Sequence, residues 1–296
     1  MIDVATALIG VRAATIASAV IVFGVAAFLA LLATPDLAGK LHRRLEQISA
    51  IAVILLVSSA ALMLPVQAAM IGDGWGDALN LELMRDIIAA TDTGRIAAFR
   101  VAIAGAMLAG VLLRPGIHAA RHRVLMVLAA LFVVSFAGSG HAAMHAGLLG
   151  IAHRVNHAIH VLAGAFWLGM LIPLFLTARC LADAASRSGA ASVLARFSAA
   201  GAAAVVLVVG TGAINTALIL GRWPVDWSSP YQEFLTFKII AVIGMLALAA
   251  INRTWLVPRA GAAEGHRALC YSIAAEIALG AVVLVLVAAF ATFEPI

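Results

Sequence analysis

The chain reads as an all-α, polytopic membrane protein with eight transmembrane helices, N-out and C-out. Three observations predict this. First, 64% of its 296 residues are hydrophobic and 11% charged, with a mean hydropathy of +1.09, which no ordinary soluble domain sustains over such a length. Second, eight apolar stretches approach the ~20 residues needed to cross a hydrocarbon core of ~30 Å. Third, Lys and Arg gather in every second connection, as retention on the cytoplasmic side requires.

In chain order the spans fall at about 8–33, 47–71, 96–113, 123–140, 153–178, 197–221, 231–252 and 268–292. The first lacks a small-residue cleavage site and is followed by its basic cluster, so it reads as an N-out anchor rather than a signal peptide. The third and fourth are short and separated by Arg114 to His122. Basic residues follow span one (Lys40, Arg43, Arg44), span three (Arg114, Arg121, Arg123), span five (Arg179, Arg187, Arg196) and span seven (Arg253, Arg259, Arg267). The alternate connections are acidic or nearly uncharged, most clearly at Asp73, Asp77, Glu82, Asp86 and Asp92. The segment 72–95 also spaces Leu79, Leu81, Leu83, Met84, Ile87 and Ile88 among those acids, which suits either an amphipathic helix on the outer surface or a solvated cap.

The formal charge of +5 is therefore mostly a topological signal, and it carries no nucleic-acid meaning. The longest polar connections, 72–95 and 179–196, fall far below the ~50 residues of a domain, so residues 1–296 are read as one transmembrane domain in contact with lipid. No ATP-binding motif, phosphorylatable aspartate in a soluble domain or large catalytic loop is present. An autonomous ATP-driven pump is excluded, and the chain is not read as an enzyme. Cys180 and Cys270 map to cytoplasmic helix ends, where a disulfide does not persist. They read as small buried hydrophobes, with soft exit ligands for copper as the alternative.

The functional signal lies between Gly138 and Gly164, which hold His141, His145, His153, His157 and His160, five of the nine histidines, together with Met144. Within the fifth span, His153, His157 and His160 follow i, i+4, i+7 spacing and share one helical face. Imidazole suits Cu, Zn, Fe and Ni, and the Met144 thioether adds preference for Cu(I). Metal or cofactor binding competes here with proton relay. His141 and His145 lie among Gly138, Gly140 and Gly147, which predicts a bent segment able to fold over the His153 face.

Ionisable residues also occur within spans. Lys238 and Glu276 lie at depths close enough for a Lys–Glu pair if their helices are neighbours, and read either as an inward-facing pair or a set of hydrogen bonds that fixes helix packing, or as part of a transport path. Met70 and Met170 read as core filler or as inner steps of such a path. Asn215, in the run Gly210-Thr-Gly-Ala-Ile-Asn215, reads as interhelical glue.

From about Thr93 onward these residues fall into an order that resembles a known family. Arg196-Phe-Ser, Gly210-Thr-Gly, Asn215, Tyr231, Lys238, Ala250-Ile-Asn252-Arg253, Pro258 and Glu276-Ile-Ala-Leu-Gly280 resemble the carboxy-terminal domain of the copper resistance D (CopD) family, here covering about 193–292. Ser139-Gly-His141-Ala and His157-Ala-Ile-His160-Val-Leu-Ala-Gly-Ala-Phe-Trp167-Leu-Gly169 are similar to it upstream. The resemblance implies copper, as Cu(I) or Cu(II), handled across the bacterial inner membrane beside a periplasmic copper-binding protein of the CopC type. The family usually has an acidic residue ahead of the span-five histidine; this chain has His157.

The expectation is thus a copper carrier that accepts the ion at His141, Met144, His145, His153, His157 and His160 and passes it inward, with Met70, Met170, Lys238 and Glu276 along the path. Two alternatives stand beside it: a b-type haem cytochrome, which needs histidines facing each other from different helices, and a copper-binding assembly factor for a cuproenzyme.

Overall fold

A computed structural model describes residues 2–113, 119–260 and 263–294. Arg114, counted above in a basic connection, lies outside the described residues. Ten α-helices with short 3-10 and π turns make up the described chain, and no strand occurs among the described residues. Eight helical segments are long and apolar enough to cross a membrane.

Helix α1 spans Val4–Ala27 and runs on through a π turn at Phe28–Leu32. It starts at Asp3, whose carboxylate accepts the Thr6 N–H at 2.6 Å and satisfies an otherwise orphaned donor of the first turn. Helix α2 spans Pro35–Ile71, opening with proline at its first position and Asp36 in its first turn. Helix α3 spans Leu81–Ala90 and is capped by Asn80. Its Met84 and Ile87 pack against Ala68 of α2, while Leu79 and Leu81 beside it are 81% and 77% exposed. The 72–95 segment thus contains an amphipathic helix. Helices α4 (Asp92–Leu113) and α5 (Ala119–Val134) follow, then α6 (Gly147–Arg179) and α7 (Ala184–Leu220). Helix α7 ends at Gly221, whose φ of 63° makes a left-handed cap that glycine adopts without strain. Helix α8 (Pro230–Ile251) continues through a π turn at Asn252–Leu256 into the single turn α9 (Val257–Arg259), and α10 (Ala263–Phe290) closes the fold.

Three helices begin at least six residues earlier than hydropathy placed them, α2 at Pro35, α6 at Gly147 and α7 at Ala184. Hydropathy locates the part of a helix that sits in hydrocarbon, whereas a helix of 37 residues is about 55 Å long and overhangs a ~30 Å core. Lys40, Arg43, Arg44, Arg187 and Arg196 therefore stand on helices rather than in loops. Lys40 reaches from α2 to Asp183, the cap of α7, and donates to Ser186 as well.

Helix α1 is the centre of the bundle and packs on α2, α5, α6 and α10. Its crossing with α6 is made by two glycines: a Cβ at Gly24 would lie 2.0 Å from the Gly169 carbonyl carbon, and one at Gly169 would lie 2.2 Å from Val20 O. Close backbone approach of this kind replaces the hydrophobic effect as the source of cohesion in lipid. On the opposite side of α1, the buried Arg121 of α5 grips Glu46 of α2 through both carboxylate oxygens, at 2.8 and 2.9 Å, and donates to Gly110 O of α4. Cys180 and Cys270 are free thiols; Cys180 is buried and donates weakly to Leu176 O, as a small core residue does.

At the other end of the bundle the cations serve helix termini. Arg100 of α4 donates to Ser135 O and Oγ at 3.1 and 2.8 Å where α5 ends, and its guanidinium lies 4.5 Å from the centre of the Phe136 ring. Arg12 of α1 donates to Ala291 O just past the end of α10. Both satisfy carbonyls that have no intrahelical partner and carry the negative end of the helix dipole.

Candidate metal centre

Between α5 and α6 the chain bends as its glycines predict. A 3-10 turn at Ser135–Gly138 is followed by extended Ser139 and a second 3-10 turn at Gly140–Ala143, with Gly140 and Gly147 at φ 69° and 62°. Arg100 pins the first turn. The bend carries the 139–147 stretch over the first turns of α6, where His145 Nδ1 meets His153 Nδ1 at 3.2 Å. Two imidazole nitrogens ligating one tetrahedral ion at ~2.0–2.1 Å would stand about 3.3 Å apart, so this separation already matches one edge of a metal site. His153 is fully buried and its Nε2 has no partner.

One and two turns deeper, His157 and His160 stack with ring centres 6.2 Å apart. They face α7, not His145, and their hydrogen bonds assign their tautomers. Asn156 Nδ2 donates to Thr211 O and to Asn215 Oδ1, both at 2.9 Å. With its oxygen thus used as an acceptor, Asn215 turns its Nδ2 donor to His157 Nδ1 at 3.3 Å. His157 therefore accepts on Nδ1 and carries its proton on Nε2. His160 Nδ1 lies 3.1 Å from Val208 O, which can only accept, so His160 is protonated on Nδ1 and its Nε2 lone pair is bare. A histidine that donates its second N–H to a backbone carbonyl is the usual form of a metal ligand. Thr211 Oγ1, also at 3.1 Å, holds the same ring. Gly212 leaves room for it, since a Cβ there would lie 3.1 Å from His160 Cε1. Asn215 is the interhelical link expected of it, and it also fixes the state of His157.

His141 stands apart on its 3-10 turn. Its Nε2 donates to Phe293 O at 3.1 Å and its ring meets Tyr231 edge to face at 5.1 Å, leaving Nδ1 free. Burial, opposed by the bond to Phe293 and reinforced by nearby Arg12, holds this imidazole below its ordinary pKa and so in the neutral, ligating form. Met144 is 47% exposed. The structure thus divides the five histidines into a His145–His153 pair, a His157–His160 pair and His141. Among the described residues no three His, Cys, Asp or Glu side chains converge on one point.

Lys238 and Glu276 do not form the ion pair that their depths predicted, although α8 and α10 are neighbours. Lys238 lies over the Phe290 ring at 5.4 Å, within electrostatic range of His157 and His160. Glu276 accepts from Asn252 Nδ2. The register explains the difference. Tyr231 meets Phe290 at one end of the helix pair; counting from there at ~1.5 Å per residue, Glu276 lies about 10 Å farther down than Lys238.

Helix α8 presents Tyr231, Lys238, Met245 and Asn252 at intervals of seven, and hence on one face. Tyr231 touches His141, Lys238 lies beside the His157–His160 pair, Met245 is 1% exposed in the same core cluster as Met170, and Asn252 holds Glu276. Met245 and Asn156 were not among the residues singled out from the sequence, and Asn252 and Thr211 entered only within the runs that carry the family resemblance; for Met245 and Asn252, the heptad spacing with Tyr231 and Lys238 was the available signal. Met70 sits 45% exposed near the end of α2, away from this line.

Comparison with known proteins assigns the lineage. Residues 1–151 match the family described as copper resistance protein D-like, N-terminal domain. Residues 191–290 match the family described as copper resistance protein D. The chain belongs to the copper resistance protein D family. Within it, the chain is 33% identical over 280 residues to inner membrane protein YebZ of Escherichia coli K12, covering 94% of each chain. It is 27% identical over 262 residues to copper resistance protein D of Pseudomonas syringae pv. tomato, covering 84% of this chain and 83% of that one. No solved structure matches it. The two matched regions of this copper resistance D protein meet the site from either side: His141, Met144 and His145 lie in the first, Thr211, Asn215, Lys238, Met245 and Glu276 in the second, and His153, His157 and His160 stand between them.

Proposed function

We propose that the protein sits in the bacterial inner membrane with its histidine end in the periplasm, accepts copper there from a CopC-type partner, and passes it to the cytoplasm. The observation that carries this reading is His160, whose Nδ1–H is committed to the Val208 carbonyl and whose bare Nε2 belongs to the helix that also bears His153 of the His145–His153 pair. Copper enters at His141, Met144, His145 and His153, transfers to His160 and moves along the α8 face past Met170 and Met245, whose buried thioethers suit Cu(I). His157, with both ring nitrogens engaged or protonated, orders the site rather than ligating. Lys238 places a positive charge beside the path and slows a bare cation, so its ammonium acts as a gate. Orientation rests on the basic residues of the opposite end.

The geometry favours copper over haem. His145 and His153 touch, and His157 and His160 share one helix, so neither of these two pairs can hold a macrocycle between its rings. An absorption spectrum of purified protein tests that choice, and a Soret band would reject it. Transport is tested by loading proteoliposomes with a Cu(I)-sensing dye. Entry that depends on His160 supports the proposal, and equal signals from wild type, His160→Ala and empty liposomes would leave an assembly or storage role.

A further inference from the structure

Between α8 and α10, toward the arginine-rich end, Glu276 and Asn252 are in contact, and buried oxygens on them and on the same face of α10 lack the partner their chemistry demands. Glu276 is 3% exposed, and among the described residues no Lys, Arg or His forms an ion pair with it. Its hydrogen bond comes from Asn252 Nδ2. The oxygen of that same amide, Asn252 Oδ1, is buried and accepts nothing, in a residue only 8% exposed. Ser272 Oγ, one turn before Glu276 on the same face of α10, is likewise buried without a partner. Asn252 also opens the π turn at Asn252–Leu256, a wide turn that recurs at functional sites.

An ionised carboxylate inside a bilayer without a counterion is strongly disfavoured, and neighbouring acceptor oxygens repel one another. A small hard cation relieves both. The donors here are a carboxylate, an amide oxygen and a hydroxyl, with no sulfur or imidazole, a set that suits hard cations and not Cu(I). One negative charge matches one positive charge, which leaves the occupied site neutral in the membrane. We propose that Glu276, Asn252 and Ser272 form a binding site for one monovalent alkali cation, of which Na⁺ is the representative. A proton on Glu276 would satisfy only one of the two orphaned oxygens, whereas a cation draws on all three groups together. The soft side chains of the α8 face stop at Met245, one heptad before Asn252, so the cation site is chemically separate from the copper path. It stands whether or not copper moves inward; if copper does, release of Na⁺ down its gradient supplies a driving force.

The test uses the full chain in nanodiscs at fixed pH and ionic strength, with NaCl exchanged for choline chloride. Radioactive Na⁺ binding and the thermal midpoint are both read. Wild type should bind Na⁺ saturably and melt higher in Na⁺ than in choline. Glu276→Gln should lose both responses. Ser272→Ala, which removes one oxygen and little else, should bind about tenfold more weakly, the usual loss when one polar partner of a bound ion is deleted. Copper at the histidine end should be retained in both variants. Absence of saturable Na⁺ binding in wild type overturns the proposal, as does unchanged Na⁺ binding in Glu276→Gln. A midpoint indifferent to Na⁺ but raised by acidification in wild type and not in Glu276→Gln overturns it in favour of a proton alone. Should Glu276→Gln fail to fold, unchanged Na⁺ affinity in Ser272→Ala overturns it equally. Loss of copper transport with Na⁺ binding intact would count against the copper carrier and not against this site.

Discussion

Replacing His157 and His160 one at a time separates ligation from positioning, because the two rings are neighbours with opposite tautomers. His160→Ala removes the bare Nε2 and also a side-chain donor to Val208 O. That carbonyl keeps its bond within α7, so the loss costs about 0.5–1.5 kcal/mol of stability. His157→Ala removes the acceptor for Asn215 Nδ2, with a stability cost of the same order. The two variants are therefore matched in folding penalty and differ in copper. Loss of a ligand should weaken binding by well over tenfold, a change of more than about 1.4 kcal/mol. His157→Ala should remain within roughly the 10–100-fold range of lost outer-shell partners, toward its lower end, and His157→Gln, which restores an acceptor for Asn215, should recover most of that. Replacing both together should abolish high-affinity binding. Affinity is read by competition with a Cu(I) chelator on detergent-purified protein, with the thermal midpoint recorded on the same samples. A His157→Ala variant that folds and loses as much copper as His160→Ala would refute the tautomer assignment and everything drawn from it.

At the α1–α6 crossing, Gly169→Leu must displace Val20 O and Gly24 and should cost more than the ~1–3 kcal/mol of ordinary overpacking, seen as loss of monodisperse protein and a lower melting midpoint. Arg121→Leu leaves the half-buried Glu46 carboxylate facing His122 at 3.8 Å without its guanidinium and should destabilise by an amount approaching the ~3–5 kcal/mol of a broken buried pair, whereas Arg95→Leu, at an exposed pair, should lie within about 1 kcal/mol of wild type in the same assay. Reporter fusions after Gly147 should signal the periplasm and fusions after Asp183 and Arg259 the cytoplasm; reversed signals would overturn the orientation. Since Arg12 helps keep His141 neutral, Arg12→Gln should raise the His141 pKa, so that protons displace copper there at a higher pH than in wild type, measured as the midpoint of copper release on acid titration.

The sequence made the bundle legible because hydropathy and charge alternation report directly on what lipid accepts: eight spans were read, and eight helices long and apolar enough to cross a membrane stand among the described residues. Helix ends were not legible, since α2 and α7 continue as helix well beyond hydrocarbon, where composition no longer constrains them. The glycine-rich bend over α6 could be anticipated from Gly140 and Gly147, whose conformations need no side chain. Spacing placed His153, His157 and His160 on one face but said nothing of which nitrogen each exposes. That depends on Asn156, Thr211 and Asn215, about 55 residues apart in the chain and joined only by the α6–α7 contact. Lys238 and Glu276 do lie within apolar spans, yet the pairing failed on a depth difference of about 10 Å, smaller than uncertain helix ends allow one to resolve.

The central position of α1 has a consequence for biogenesis. It leaves the ribosome ahead of α2 to α10, yet it docks on α6 and α10, which emerge more than a hundred residues later. Until α6 arrives, the notch at Gly24 has no protein to fill it and lipid tails must occupy it. The nascent chain therefore spends most of its synthesis as an open half-bundle, in which α1 leans on α2 and then α5, with the Arg121–Glu46 clasp closing that half first. Completion of the fold is the expulsion of lipid from the glycine notch by α6, and the copper-binding histidines, carried on the same helix, come into register only at that late step.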